Sequence, residues 1–518
     1  MQRALHMESN KLVKGALVLT LAGIISKMLS AGYRIPLQNL TGDIGFYVYQ
    51  QIYPILGIVL VLALYGFPAA ISKLTAEKEN ISIKYFLAPI FSILFIICFA
   101  FAIMLYVFAD DIARFVGDEH LTQAYQIAAG LLLVIPFTAL LRGMFQGKTD
   151  MKPTAFSQIG EQLLRVVVII AIAYGVATYG FDVYWIGNFA GIAAITGSFV
   201  AFIILVAYFV KNKPTIKIQQ PIPWLYYAKI ILVFGLVASL NHMILLIIQF
   251  ADAFTVVPGL MDFGLSPYEA MEAKGIFDRG QPLIQVGAVL GSSFGLALLP
   301  NIAKVSVGTY SSEISEHLNS ALKLSFYLAW GACIGLIVLF PEVNRLLYQD
   351  NQGEVALRIL MIAVLLSAMV ITATSILQGL GHIKWTAIFI LGAFALKWLL
   401  NILLVPSFGI IGSAIGTVLS LFCLTVITVV KLKKHTDKKL HIHWGAFSLA
   451  TLGMIGFLMV VDVILPTESL SRLALLFTVL FLSTVGAGIY LYLLIRLQAF
   501  THNELKLIPF GKRFSGRK

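Results

Sequence analysis

The chain of 518 residues is 59% hydrophobic and only 12% charged, with a mean hydropathy of +0.90. No soluble core could hide so much apolar surface, and too little charge remains to solvate the rest, so a soluble globular enzyme and a disordered chain are both excluded. The net charge of +12 is shared among short loops rather than gathered in a basic domain, which argues against nucleic acid as a partner.

Apolar runs of about 20 residues, the length a bilayer demands, fall near 13–37, 45–69, 85–109, 121–143, 154–178 and 183–210. The rhythm repeats near 225–251, 275–300, 318–340, 355–380, 384–405 and 408–431, and two more runs follow at 444–464 and 472–496. The expected fold is an all-α polytopic membrane protein of 14 transmembrane helices, two pseudo-symmetric six-helix lobes plus two C-terminal helices. The N-lobe is expected over 1–220, the C-lobe over 221–435, and the extra hairpin with its basic cytoplasmic tail over 436–518. The segment KNKPTIKIQQPIP at 211–223, with three prolines and three lysines, divides the halves because it cannot continue a helix.

The N-terminus shows no signal-peptide cleavage pattern, so its first apolar run is expected to remain as the first helix. Basic clusters fall on alternate loops: Arg3/Lys11/Lys14, Lys73/Lys78/Lys84, Arg142/Lys148/Lys152, Lys211/Lys213/Lys217, Lys431/Lys433/Lys434/Lys438/Lys439 and Lys512/Arg513/Arg517/Lys518. The intervening loops carry Asp43, Asp110, Asp111, Asp118, Glu119, Asp182, Asp350, Glu354 and Glu468 instead. The positive-inside rule then puts both termini in the cytoplasm.

One stretch organises the rest. Leu141–Val166, LRGMFQGKTDMKPTAFSQIGEQLLRV, sets Glu161, Gln162 and Arg165 inside a membrane-spanning run. A weak echo follows about 236 positions later as LQGLGHIKWTAIFILGAFALKWLLN, with Lys397 under Glu161 and Asn401 under Arg165. Pro68 and Lys73 at the exit of the second span match Pro300 and Lys304 at the exit of the eighth, and Ser26–Leu29 matches Asn241–Ile244. Polar landmarks carry these matches, which favours an internal duplication. Parallel repeats of this kind belong to transporters with a site between the halves.

An ionisable group in mid-span costs at least ~2.5 kcal/mol, so its retention points to a cavity or a partner. Lys27 and Arg34 are seven residues apart on one face of the first span, and Glu161 and Arg165 are four apart on one face of the fifth. Lys397 lies at the matching station of the eleventh. Lys274, Asp278 and Arg279 open the eighth span, while the seventh carries His242 and Asp252. Glu161 and Arg165 can also simply neutralise each other as structural glue. Lys27, Arg34, Arg165, Arg279 and Lys397 outnumber Glu161, Asp252 and Asp278 by two charges, and surplus cations in a low-dielectric wall suit an anion. His242 reads as a packed neutral side chain. Cys98, Cys333 and Cys423 lie in apolar runs without disulfide or metal-site spacing. No HExxH, Walker A loop or GxSxG elbow is present, so neither enzyme chemistry, a cofactor nor a metal is expected.

The segment RGMFQGKTDMKPTAFSQIGEQLLR closely resembles the R-G-x-F-Q-G-x-x-x-M-x-P-x-A-x-S-Q-x-x-E-Q-x-x-R stretch of SpoVB-like membrane proteins. FDRGQPLIQVGAVLGSSFGLALLPNIAK is similar to the eighth helix of MurJ-like proteins, and GIFDRGQPL to the YabM-like branch. SKML with the following Tyr33-Arg34 resembles the family's S-R-x-L…R pattern, with Lys27 where arginine is common and Arg34 shifted by one residue. These groups are lipid-linked oligosaccharide flippases of the multidrug/oligosaccharidyl-lipid/polysaccharide exporter superfamily. The resemblance covers the whole chain and implies fourteen helices and two lobes around a V-shaped cavity. It further implies an undecaprenyl-pyrophosphate-linked glycan as substrate, with Arg279, then Lys27 and Arg34, serving its pyrophosphate. Glu161 and Arg165 match the motif with a less defined role, and the bilayer and glycan-synthesis enzymes are the remaining implied partners. A cation-coupled multidrug antiporter and a non-transporting scaffold of glycan synthesis are the alternatives; an antiporter for cationic drugs calls for an acidic cavity.

Overall fold

The computed structural model describes residues 2–77, 83–211, 223–296, 312–434, 442–465, 467–501 and 504, and every regular element among them is helical. Most of the expected linker, Lys78, Lys213, Lys217, the exit with Pro300 and Lys304, Lys438, Lys439 and the basic tail lie outside the described residues. The chain divides into two compact units, Met1–Asp278 and Arg279–Lys518.

In the first unit, α1 (Gln2–Gly32) and α2 (Arg34–Val61) meet at Tyr33, whose amide still bonds Leu29 O at 3.2 Å, so the helix runs on through Arg34. It then reverses at Gly42, where φ is 69° and ψ −172°, a backbone conformation that only glycine adopts without strain. Across this turn the rings of Tyr33 and Tyr49 meet edge-on at 5.9 Å. The chain continues through α3 (Phe67–Ala76), α4 (Ala88–Val107), α5 (Ala109–Val116), α6 (Thr122–Gly147), α7 (Lys152–Tyr179) and α8 (Trp185–Lys211). Pro89 and Pro153 start α4 and α7, where a missing amide proton costs nothing, and left-handed Gly117 and Gly180 end α5 and α7. On α4 the side chains Ile96, Phe101, Met104 and Val107 are at least half exposed. An apolar wall of this kind fits lipid rather than water.

The unit closes with α9 (Trp224–Lys229), α10 (Gly235–Ser239), α11 (Ile244–Asp262) and α12 (Pro267–Asp278). Two π-helical turns, Leu62–Gly66 and Ile230–Phe234, interrupt the long helices where they cross, and a tight 3-10 turn covers Leu240–Met243. A Cβ on Gly66 would stand 2.8 Å from Gly235 O, so glycine sets the closeness of this crossing.

The second unit contains α13 (Gly280–Leu296), α14 (Ser312–Val338), α15 (Phe340–Tyr348), α16 (Glu354–Leu360), α17 (Ile362–Gly379), α18 (Ile383–Lys433), α19 (Trp444–Ile464) and α20 (Arg472–Arg496). Within α18 the chain reverses at Gly409 (φ 57°, ψ −141°). Its two arms run back against each other so tightly that a Cβ on Gly412 would lie 2.2 Å from Leu404 O. The last two helices dock on α14 through aromatic side chains, with Tyr490 donating to Tyr327 O at 2.9 Å and Trp330 Nε1 to Thr451 Oγ1 at 3.2 Å. Among the described residues, eleven helices are long and apolar enough to cross a membrane. Two of these, Val18–Ala76 and Ile383–Lys433, hold the reversals at Gly42 and Gly409.

Candidate functional site

The charged stretch builds a three-residue ion network rather than a pair. Glu161 on α7 receives Arg165 NH2 at 2.8 Å on one oxygen and Arg142 NH2, from α6, at 2.8 Å on the other. Ser198 on α8 donates to the same oxygen as Arg165 at 3.1 Å, Arg142 Nε donates to Ser157 Oγ at 3.1 Å, and Arg165 NH1 donates to Gln162 Oε1 at 3.1 Å. Arg142, counted in the sequence among basic loop residues, is 1% exposed and faces inward. Helical periodicity could not reveal this contact, because the two residues sit on different helices and α7 begins only after a turn.

Arg34 has the most unusual surroundings of the expected site residues. It is 1% exposed, no carboxylate bonds its guanidinium among the described residues, the Tyr33 hydroxyl stands beside it, and its Cζ lies 4.0 Å from the centre of the Tyr53 ring. The hydroxyls of Tyr33 and Tyr49 touch each other beside it. Cation–π attraction returns part of what burial of the charge costs, and the fork is left free to take two oxygens of one anion. Spacing and the resemblance both marked Arg34, but not Tyr49 and Tyr53, which are separated from it by the Gly42 reversal.

Lys27, on α1 two turns before Arg34, is half-buried and within electrostatic reach of His242, whose ring stacks on Tyr65 at 4.0 Å. Asp278 is buried against Lys274, one turn earlier on α12, and senses the charges of Asp252 and Arg34. α12 is held on the Gly42 turn by Gly275, where a Cβ would lie 2.1 Å from Asp43 O.

In the second unit Arg279 is fully buried, and Asp350 grips its fork with both oxygens, at 2.5 and 3.1 Å. Tyr348 donates to Arg279 O at 2.9 Å. Lys397, likewise fully buried, donates to Asn401 Oδ1 and Ser413 O at 2.8 Å each and to Ser413 Oγ at 3.1 Å. Its charge is held between the two arms of α18. The motif around Glu161 thus recurs with altered charge, an i,i+4 polar pair closed by a serine of the next arm. The structure brings Arg34, Lys274 and Asp278 into one neighbourhood of the first unit and Glu161, Arg165 and Arg142 into another.

Two carboxylates outside the spans are sheltered. Asp118, which the sequence places in an acidic loop, is buried and accepts from Tyr47 at 3.2 Å and Tyr184 at 3.0 Å. Burial chiefly, with the Asp462 charge adding to it, raises the Glu342 carboxyl above its ordinary 4.5. A carboxyl raised on folding contributes stability that is present at low pH and lost as pH rises through the folded value. Thermal unfolding of the solubilised protein is expected to show this loss above pH 4.5, and Glu342→Gln to flatten that part of the profile; an unchanged profile contradicts the assignment.

Apolar outer faces on spanning helices that bury charged side chains define a multi-pass membrane protein of the flippase and transporter class. Residues 12–306 match the family described as polysaccharide biosynthesis protein, and the chain belongs to that family. It is 36% identical over 522 residues to the uncharacterized membrane protein YabM of Bacillus subtilis (strain 168), covering 97% of this chain and 96% of that one. It is 26% identical over 456 residues to the lipid II flippase MurJ of the same organism, covering 82% and 83%. A solved structure of the lipid II flippase MurJ in an inward closed conformation superposes with a TM-score of 0.71 at 15% identity, over 93% of this chain and 99% of that one. That likeness fixes the fold.

Proposed function

We propose that this protein is a flippase that moves an undecaprenyl-pyrophosphate-linked glycan precursor, lipid II or a polysaccharide repeat unit, across the bacterial cytoplasmic membrane by alternating access. The observation that carries the reading is Arg34, a buried guanidinium that no carboxylate bonds among the described residues and that tyrosines surround. Burying an ion unpaired costs on the order of several kcal/mol, and a bidentate phosphate restores that loss while binding. In the second unit Arg279 holds Asp350 in its fork, and an anionic group of the substrate competes with that carboxylate there. Lys27 adds positive charge beside the path. Glu161, Arg165 and Lys397 hold their helices in register, and Asp278 with Lys274 seats α12. A cation-coupled antiporter is disfavoured because Glu161 and Asp278 each carry a cationic partner while Arg34 has no anion bonded to it.

Fourteen crossings follow if the Gly42 and Gly409 reversals each divide one of the eleven long helices and Pro267–Leu296 supplies the eighth. Both termini then lie in the cytoplasm, with lobes at 1–220 and 221–435 and the hairpin in 436–518. Cysteines placed at the exposed positions Lys148 and Lys433 should resist an impermeant thiol reagent in intact cells, whereas Asp111 and Glu468 should label. Labelling at position 148 inverts this topology. The function is tested by leaflet-resolved accessibility of lipid-linked glycans in cells depleted of the protein: precursors should accumulate in the inner leaflet, and an unaltered distribution of every such lipid overturns the reading.

A further inference from the structure

A cavity of about 270 Å³ lies within the first unit, and Arg34 is not among its lining residues. Its polar lining is Tyr65, His242, Gln146 and Gln158, and its apolar lining includes Leu19 and Leu64. The Tyr65 and His242 rings stack at 4.0 Å with only 10° between their planes, and the Gln158 amide stands beside the Tyr65 hydroxyl. Tyr65 sits on the π-turn Leu62–Gly66 and His242 on the 3-10 turn Leu240–Met243. Such irregular turns re-aim side chains that a regular helix would point elsewhere.

The chemistry of this lining is neutral and two-faced. Aromatic edges and leucines suit the C–H face of a sugar ring, while primary amides donate and accept at once and so match hydroxyl or N-acetyl groups. The volume lies just under the range that holds a drug-sized ligand, so it suits a sugar unit rather than a whole lipid-linked glycan.

The position of the cavity relative to Arg34 narrows the ligand further. A Cβ on Gly23 would lie 3.8 Å from the Tyr65 hydroxyl, which places the cavity beside Gly23 on α1. Lys27 follows one turn later on the same face, and Arg34 comes eleven residues after Gly23, again nearly in line. At the rise of a helix this is roughly 16 Å. Along α2 and the π-turn that continues it, the path from Tyr53, under Arg34, to Tyr65 is twelve residues, or roughly 18 Å. Two helices therefore give the same separation, which exceeds a single sugar ring and falls within reach of a short oligosaccharide.

We propose that the Tyr65/His242 cavity is a glycan subsite, which receives the sugar farthest from the lipid while the pyrophosphate is held at Arg34. This rests on the flippase reading above and extends it to a substrate of more than one sugar. Lys27 stands between the two ends and favours a glycan that carries negative charge along its length.

The test uses the full-length protein purified from bacterial membranes, with co-purifying undecaprenyl-pyrophosphate lipids quantified by mass spectrometry as glycosylated and sugar-free fractions. Gln158→Leu removes an amide, and the double variant Ala69→Leu/Ala238→Leu fills the cavity, whose lining includes both alanines. Each should lower the ratio of glycosylated to sugar-free lipid about tenfold, with the sugar-free lipid retained and thermal stability near that of the wild type. Arg34→Ala should lose both fractions. An unchanged ratio in both cavity variants, or a parallel loss of the two fractions in them, overturns the subsite while leaving the Arg34 reading intact. Absence of both fractions from the wild-type protein overturns the flippase reading and the subsite together.

Discussion

Arg34→Ala should abolish transport while leaving the protein at least as stable as the wild type. The usual result of removing a buried arginine is the reverse, because a carboxylate is then left unpaired at a cost of ~3 to 5 kcal/mol. Among the described residues the guanidinium bonds no carboxylate, and it lies against the face of Tyr53 at 4.0 Å beside the Tyr33 hydroxyl. Truncating it removes a desolvated charge from the resting protein and a bidentate partner from the bound one. Loss of a charge-assisted fork of this kind corresponds to ~2 to 5 kcal/mol of binding, about thirtyfold or more in affinity. Arg34→Lys keeps the charge but offers one point donor in place of a fork, so it should recover only part of the activity. The measurement is complementation of a flippase-deficient strain, with protein abundance and melting temperature followed in parallel. A stable Arg34→Ala protein with full activity rejects the anion site. A marked fall in melting temperature instead shows that Arg34 has a structural role.

The sequence revealed much of this architecture because lipid imposes a coarse rule. Apolar runs of spanning length mark helices, and isolated charges within them stand out. Glu161 and Arg165 were legible as neighbours because an i,i+4 spacing is local, and Lys397 with Asn401 was legible as their echo for the same reason. What the sequence could not give was the direction in which each charge turns. Lys397 was legible as a mid-span cation, but that its ammonium bonds oxygens across the Gly409 reversal was not. Arg142 looked like a loop residue, and its partner lies nineteen positions away across a turn. Asp350 looked like one more acid in an outer loop, although it fills the fork of Arg279, 71 positions earlier. Asp118 looked like another acid of a loop, but Tyr47 from α2 and Tyr184 from the turn before α8 enclose it. Each of these contacts depends on tertiary pairing rather than on helical spacing, so periodicity is silent about it.

The ion network on Glu161 makes the second strong prediction. A simple Glu161–Arg165 pair would be equally sensitive to loss of either residue. The observed triad is not symmetric: both Glu161 oxygens are engaged, one by each arginine at 2.8 Å. Arg165→Ala therefore leaves the carboxylate paired with Arg142 and supported by Ser198, and Arg142→Ala leaves it paired with Arg165. Glu161→Ala instead leaves two guanidinium groups facing each other in the membrane without a counter-charge. Its cost should reach the ~3 to 5 kcal/mol of an uncompensated buried charge, and either arginine replacement alone should cost less than half of that. Expression of Glu161→Ala should accordingly collapse, while Arg165→Ala is only reduced. Replacing Arg142, Glu161 and Arg165 together by Met, Leu and Met removes all three desolvation terms and should restore folding, as apolar substitution of buried ion triads can. The assay is abundance in the membrane fraction together with thermal unfolding in detergent. Equal loss from Arg165→Ala and Glu161→Ala would show that Arg142 does not share the carboxylate. If the triple replacement restores abundance but not transport, the network also acts in the transport cycle; if it restores both, the network only holds α6, α7 and α8 together.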